Sequence, residues 1–312
     1  MEKQWEVASH PKVWHPKSIE EAWTLKQTLC ADGVFVAGGT LLRTQWENGI
    51  APFPAHLINV SGIRACHELS FSPEVLILGS GMPLQYAREN ERIKRHLPLL
   101  TEALRSVAAP AVRRLATIGG NIASRLGDAL PALLVYDADL IWYDGAKERR
   151  EKLSDWLRLS ESAKPPEARL LIRVELPLGH PPLADGETRA GEQAFQPEIS
   201  VYTKVGRREG FTPSVVTIAL LGRVSASGHI ERLHVAAGGG QTVPLRLEAV
   251  ERACRGEKLD RRLAEEVYAQ VLEEFQPCGD RFASADYRKR TAANLIAAEL
   301  WRACKAHDEE RE

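Results

Sequence analysis

The hydrophobic positions of this chain fall in short blocks separated by polar and glycine-rich breaks. Residues 18–29 follow a polar helical pattern and give way to the apolar block Val34-Phe35-Val36, which stops abruptly at Ala37-Gly38-Gly39-Thr40; this predicts a helix, then a strand feeding a glycine turn. Further strands are predicted at 56–60 and 75–78, the second closing on Gly79-Ser80-Gly81. Residues 88–100 read as a helix with a loop at Pro98. Residues 101–108 read as another that Pro110 ends, because proline disfavours helical geometry in the residue before it. A second glycine turn, Thr117-Ile118-Gly119-Gly120-Asn121, lies just beyond. The apolar blocks 131–136 and 139–143 and the partly alternating stretch 169–176 are expected to continue a sheet.

Residues 178–198 change character, with Pro181-Pro182, Asp185-Gly186 and many charges, and read as a surface loop or linker between two domains. Beyond them, strands over 214–221 and 230–237 are joined by a hairpin at Ser227-Gly228, and helices follow over 263–275 and 285–303. Val267, Val271, Leu272 and Phe275 recur at helical spacing in the first of these helices. Strands followed by helices indicate an α+β fold rather than a doubly wound parallel sheet.

At 312 residues the chain is long enough for two domains. Its 41 Lys and Arg against 42 Asp and Glu, a formal charge of -1, give no electrostatic reason for a nucleic-acid or anionic-membrane partner. No apolar stretch approaches the roughly 20 residues needed to span a bilayer. The charged start lacks a signal-peptide core, so a cytoplasmic location is expected. Cys30, Cys66, Cys254, Cys278 and Cys304 form no CxxC-like pair, and the histidines form no spaced ligand set, so this chain is expected to carry no metal. No Ser-His-Asp or Cys-His arrangement stands out for hydrolysis.

Successive glycines after a strand let backbone N–H groups approach an anion unobstructed, and consecutive amides can share one concavity. Gly38-Gly39-Thr40 also opens a predicted helix, whose dipole favours the same anion, with the Thr40 hydroxyl as a further donor. A diphosphate suits such a site, while either loop alone also reads as an ordinary turn. Neither loop fits G-x-G-x-x-G and no G-x-x-x-x-G-K-[ST] occurs, which argues against Rossmann and P-loop binding.

Together, Val36-Ala37-Gly38-Gly39-Thr40-Leu41-Leu42 and Arg113-Arg114-Leu115-Ala116-Thr117-Ile118-Gly119-Gly120-Asn121-Ile122-Ala123 resemble the two FAD loops of molybdenum hydroxylase flavoprotein subunits. These are the medium chains of xanthine dehydrogenase and carbon monoxide dehydrogenase type enzymes. The resemblance continues in order through Tyr202-Thr203-Lys204-Val205-Gly206-Arg207-Arg208-Glu209-Gly210-Phe211, which is similar to the family's K-x-x-x-R-x-x-F segment. It extends to Gly238-Gly239-Gly240 with Pro244 and Arg246, and to Ser284-Ala285-Asp286-Tyr287-Arg288, so that it covers almost the whole chain.

The resemblance implies a vanillyl-alcohol-oxidase-like, PCMH-type FAD-binding domain of two α+β subdomains over 1–180, divided near residue 60. It further implies a linker over 181–198, a smaller C-terminal α+β domain of antiparallel sheet and helices over 199–306 that closes over the flavin, and a polar tail over 307–312. Carried over by position, Ala37, Gly38, Gly39, Thr40 and Leu41 with Thr117, Ile118, Gly119, Gly120 and Asn121 would wrap the pyrophosphate and ribityl chain of non-covalent FAD. Gly79 would lie in a turn near it. Asp128, in Asp128-Ala129-Leu130-Pro131-Ala132-Leu133, would accept from a cofactor hydroxyl, and Lys204 would lie toward the flavin. The chemistry would belong to the isoalloxazine ring, so no catalytic side chain is implied. The implied partners are a molybdopterin-binding large subunit and a [2Fe-2S] small subunit in a dimer of heterotrimers, with electrons passing through FAD to NAD+ or oxygen.

Some positions depart from the family or read two ways. Leu41 and Asn59 stand where members often have Asp, and Ser124-Arg125-Leu126-Gly127 is shorter than the usual loop. Lys204, Arg207 and Arg208 suit either a reduced flavin and an acidic dinucleotide or a solvated basic strand. Tyr202 suits ring contact or plain packing, and Trp142, Trp156 and Trp301 suit interface anchors or, more commonly for tryptophan, the core. Rival readings are the flavin subunit of a carbon monoxide or aromatic-compound dehydrogenase, a self-contained flavin reductase, which the Tyr287-Arg288 segment argues against, and a FAD-free scaffold or assembly subunit.

Overall fold

The computed structural model describes residues 11–159, 169–178, 199–207 and 214–309. The linker expected over 181–198, Arg208 and the last three residues lie outside the described residues. The chain begins with β1 (Lys12–Trp14), α1 (Ile19–Leu29), β2 (Gly33–Val36), α2 (Thr40–Glu47) and β3 (His56–Asn59). The three strands form a parallel sheet in the order β1-β3-β2. Ser18 starts α1 by accepting a hydrogen bond from Glu21 N–H, and Ala22 of that helix is buried with Ile58, Val60 and Ile63.

The next unit runs through β4 (Leu69–Phe71), β5 (Val75–Gly79), α3 (Leu84–Glu89), α4 (Glu91–His96), α5 (Pro98–Ser106), α6 (Pro110–Arg113) and α7 (Ile118–Ala123). It continues through α8 (Leu130–Val135), β6 (Asp139–Tyr143), β7 (Glu148–Lys152), α9 (Leu153–Arg158) and β8 (Leu170–Pro177). Its strands form an antiparallel sheet in the order β4-β5-β8-β6-β7. The C-terminal part comprises β9 (Ile199–Gly206), β10 (Ser214–Val224), β11 (Ile230–Gly239), β12 (Thr242–Arg246), α10 (Glu248–Cys254), α11 (Arg261–Glu274) and α12 (Ala285–Glu309). Its antiparallel sheet has the order β12-β11-β10-β9, and Gly228, at φ 83°, turns the β10–β11 hairpin. Two α+β units followed by an antiparallel sheet with helices is the expected fold class. Among the described residues no helix is long and apolar enough to cross a membrane, and no three His, Cys, Asp or Glu side chains gather where they could hold a metal.

The helical stretches differ from the sequence pattern in one consistent way. Pro98, Pro110 and Pro131 each fall in the first turn of a helix, where the missing N–H has no partner to lose. Residues 88–100 are therefore not one helix: Asn90 ends α3 and caps α4, and Pro98 opens α5. Residues 131–136, expected to extend a sheet, form the buried helix α8, because a short apolar run has no period that separates strand from helix. α12 also continues past residue 306, into the stretch expected to be a tail.

The C-terminal sheet has both faces covered. Along β10, Ile218 and Leu220 point into a core with α10, α11 and α12, while Ala219 and Leu221 join the core of the preceding unit. There α5 lies against β9, and α8 lies against β10, β11 and β12. On the other face Arg288, only 1% exposed, pairs with Asp280 at 2.6 Å and donates to Val215 O. A Cβ on Gly240 would lie 2.1 Å from its guanidinium, so the close approach of Arg288 requires a glycine there.

Polar contacts close the seam. His234 Nδ1 donates to Val135 O at 2.7 Å, at the end of α8, and Nε2 accepts from Arg232 Nε at 3.1 Å, the pattern of a neutral imidazole. Burial, and then Arg246 and Arg232, push the His234 pKa down to about 3. The unfolded chain takes up this proton near the ordinary value of about 6.5 while the folded chain does not. This contribution to stability is therefore fully present above pH about 6.5 and is lost as pH falls toward 3, with a slope of up to about 1.4 kcal/mol per unit. Urea midpoints at pH 7 and pH 5 should show a smaller acid-induced loss for His234→Gln than for the parent chain; equal losses would assign the sensitivity to other groups.

Candidate functional site

The first glycine turn leaves β2 at Val36 and enters α2 at Thr40. Gly39 adopts φ 64°, a left-handed conformation that favours glycine. Gly38 is constrained by space instead: a Cβ there would lie 1.9 Å from Leu115 O. This contact seats the first loop, with Ala37, against the residues that immediately precede the second. The first intrahelical bond of α2 runs from Arg43 N–H to Gly39 O at 2.9 Å, so the amides of Thr40, Leu41 and Leu42 have no acceptor within the helix. The Leu41 side chain is exposed beside them.

The second loop has its amides occupied. Ile118 N–H donates to Met82 O at 3.0 Å, Gly119 N–H to Ser80 O at 2.7 Å and Asn121 N–H to Thr117 O at 2.9 Å. Gly120 N–H donates to Thr117 Oγ1 at 3.0 Å, so Thr117 is the cap of α7. Gly119 is buried, and a Cβ on it would lie 2.7 Å from Ser80 Cβ, whereas Gly120 is exposed. Asn121 Oδ1 is buried and has no hydrogen-bond partner among the described residues.

Around these loops the chain provides supports that the sequence reading missed. The Gly79-Ser80-Gly81 turn is held by Gly79 N–H to Glu68 O and Gly81 N–H to Cys66 O, both 2.7 Å, and it supplies the Ser80 carbonyl that anchors Gly119. Gly79 itself is packed on Cys66, whose carbonyl would lie 2.3 Å from a Cβ. Arg113 is buried and donates to Gln85 Oε1 at 2.9 Å and to the carbonyls of Arg105, Val107 and Ala108. Burial, then Arg88 and Arg105, lower its pKa. Its place beside a glycine loop in sequence gave no sign of this inward role, and Ser80 was marked only by its flanking glycines.

Asp128 and Lys204 meet across the seam. Lys204 Nζ lies 2.7 Å from Asp128 Oδ2, and Tyr202 OH donates to Asp128 O at 2.8 Å. Burial and, next, the Asp128 charge push the Tyr202 pKa up. Arg207 is elsewhere, 4.3 Å from the Phe282 ring centroid. Thus the two glycine loops, the Gly79 turn and Asp128 form one connected region, with Lys204 joined to it through Asp128.

Comparison with known proteins identifies the family. Residues 7–179 match the model of the FAD binding domain in molybdopterin dehydrogenase, and residues 200–302 match the CO dehydrogenase flavoprotein C-terminal domain. The chain is 23% identical to the carbon monoxide dehydrogenase medium chain of Hydrogenophaga pseudoflava, over 93% of this chain and 96% of that one. It is also 23% identical to a putative xanthine dehydrogenase FAD-binding subunit of Escherichia coli, over 81% and 82% of the two chains. In fold it is similar to a solved carbon monoxide dehydrogenase of H. pseudoflava that lacks the Mo-pyranopterin moiety of its cofactor, with TM-score 0.82, 22% identity and coverage of 95% and 98%.

The contrast between Gly119 and Gly120 separates folding from binding. Gly120→Val, at an exposed position, should lower FAD affinity about tenfold or more, roughly 1.4 kcal/mol, while costing less than about 1 kcal/mol of stability. Gly119→Val should destabilise the chain itself by about 1–3 kcal/mol through its clash with Ser80. Flavin titration and urea unfolding of both variants check this; unchanged FAD affinity in Gly120→Val would remove that loop from the site.

Proposed function

This chain belongs to the FAD-binding family of the molybdopterin dehydrogenases, and on that premise we propose that it is the flavin-carrying electron-transfer subunit of a heteromeric molybdenum hydroxylase. The observation that carries the reading is the seating of Gly38 on Leu115, which joins the first-turn amides of α2, without an acceptor within the helix, to the second glycine loop. Backbone cradles that a Cβ would fill, together with the unpartnered Asn121 Oδ1, fit FAD.

In this reading Ala37, Gly38, Gly39, Thr40 and Leu41 hold the pyrophosphate with backbone donors and the α2 dipole. The second loop, whose amides from Ile118 onward are already occupied, serves by shape: Gly120 leaves its exposed wall bare, Gly119 lets it rest on Ser80, and Thr117 locks it. Ile118 N–H seats it on Met82 and Gly119 N–H on Ser80, and Gly79 lets the Ser80 turn pack on Cys66. The Asn121 carboxamide and the Asp128 carboxylate face cofactor hydroxyls. Bound FAD supplies two-electron chemistry in its isoalloxazine ring, accepting electrons and releasing them as hydride. The chain's own residues bind and orient, and none is assigned a proton-transfer role.

In such a complex a molybdopterin-binding large subunit would oxidise the organic substrate, and [2Fe-2S] clusters on a small partner subunit would supply the electrons to this chain. NAD+, or else oxygen, is the acceptor we propose. A carbon monoxide or aromatic-compound dehydrogenase is the second reading, favoured by the longer span of similarity to the carbon monoxide dehydrogenase medium chain.

The purified chain should take up FAD stoichiometrically and release it unmodified on denaturation. It should pass electrons from NADH to a dye and hydroxylate no purine. A chain that takes up no FAD would defeat the flavin reading, and purine oxidation without partners would contradict the division of labour.

A further inference from the structure

Lys204 and Tyr202 of β9 converge on one short segment of the flavin-binding domain. Lys204 Nζ donates to Asp128 Oδ2 at 2.7 Å and to Ser106 O at 2.9 Å. Tyr202 OH donates to Asp128 O at 2.8 Å and accepts from Ser106 Oγ at 3.3 Å. The Lys204 side chain is 5% exposed and that of Asp128 15%, so neither charge is easily left without the other. An ammonium has three donors, and two of those on Lys204 are committed within the protein.

One residue before Asp128, the buried Gly127 lies directly on Asn121. A Cβ on Gly127 would be 2.3 Å from Asn121 Oδ1 and 2.5 Å from Asn121 O. The same segment is tied into α8 by Leu130 N–H to Gly127 O at 3.0 Å. A continuous series of close contacts therefore runs from Lys204 through Asp128 and Gly127 to Asn121 in the second glycine loop.

We infer that Lys204 is a positioning residue: it fixes the Asn121 carboxamide in the flavin loop through Asp128 and Gly127, and does not act on the flavin directly. Tyr202 supports the same function by pinning the Asp128 backbone while Lys204 pins its side chain. The C-terminal domain thereby contributes to cofactor retention from outside the cofactor's contact surface. This inference rests on the flavin reading above.

A residue acting through Asp128 differs from one touching the ring in its dependence on Asp128, which a double-mutant cycle measures. Lys204→Met, Asp128→Asn and the double variant are to be compared by FAD titration and by the midpoint potential of the bound flavin. Each single variant should weaken FAD binding tenfold or more. The double variant, which removes both buried charges, should be no weaker than the worse single one, and Lys204→Met should leave the potential unchanged. Multiplicative losses, or a potential lowered by Lys204→Met in both backgrounds, would overturn the inference in favour of direct contact.

Tyr202→Phe keeps the packing and deletes one hydrogen bond, so it reads the same linkage if the charge variants fold poorly. In cofactor-free protein it should speed hydrogen exchange at the amides of Gly120 and Asn121, and unchanged exchange there would overturn the positioning role. A parent chain that takes up no FAD while Tyr202→Phe still speeds this exchange would sink the flavin reading and leave the linkage to the loop supported.

Discussion

One constraint organises the molecule: the C-terminal sheet has no solvent face. Except for Arg223, every residue of β10 is buried, and from Ile218 to Leu221 successive side chains enter cores on opposite sides. Burying a leucine or isoleucine contributes about 1.5–3 kcal/mol, so the two cores together hold the sheet against translation in either direction. The setting of β9 against α5 follows from this, and with it the arrival of Tyr202 and Lys204 at Asp128. The region proposed to receive the cofactor is thus aligned by packing that lies behind it.

Within that region side chains matter less than their absence. Gly38 allows one backbone to rest on another, and Gly119 does the same against Ser80. The nearby cations are largely committed to the protein: Arg113 to Gln85 and three carbonyls, Lys204 to Asp128 and Ser106. In the proposed site, attraction for a diphosphate would then be left mainly to peptide dipoles, which need no side chain to be ordered when the anion arrives.

Much of this was legible in the sequence, and the reasons for the remainder are specific. The glycine turns, the strands feeding them and the β10–β11 hairpin follow from local backbone preferences, and the order of motifs carried the family resemblance. The helix starts at Pro98 and Pro110 were misread because proline both ends and begins helices, and only the following residues decide which. The apolar run of α8 lacked a distinguishing period. The partnership of Lys204 with Asp128 spans 76 positions, and nothing local marks either residue for the other. Likewise the occupied amides of the second loop depend on Met82 and Ser80, whose nearness is a property of the folded chain.

The two-faced sheet also limits how freely this protein can be recombined. The two family matches meet at a stretch that looks like a natural joint, yet Ala219, Leu221 and Ala236 on one side of it share a core with Leu130, Leu133 and Leu134 on the other. A chimaera that exchanges the C-terminal half with that of a relative would inherit a sheet face shaped for a different α5 and α8. Such an exchange transfers a working part only when the outward residues of those two helices travel with it, so the unit of inheritance is larger than the unit suggested by either sequence match.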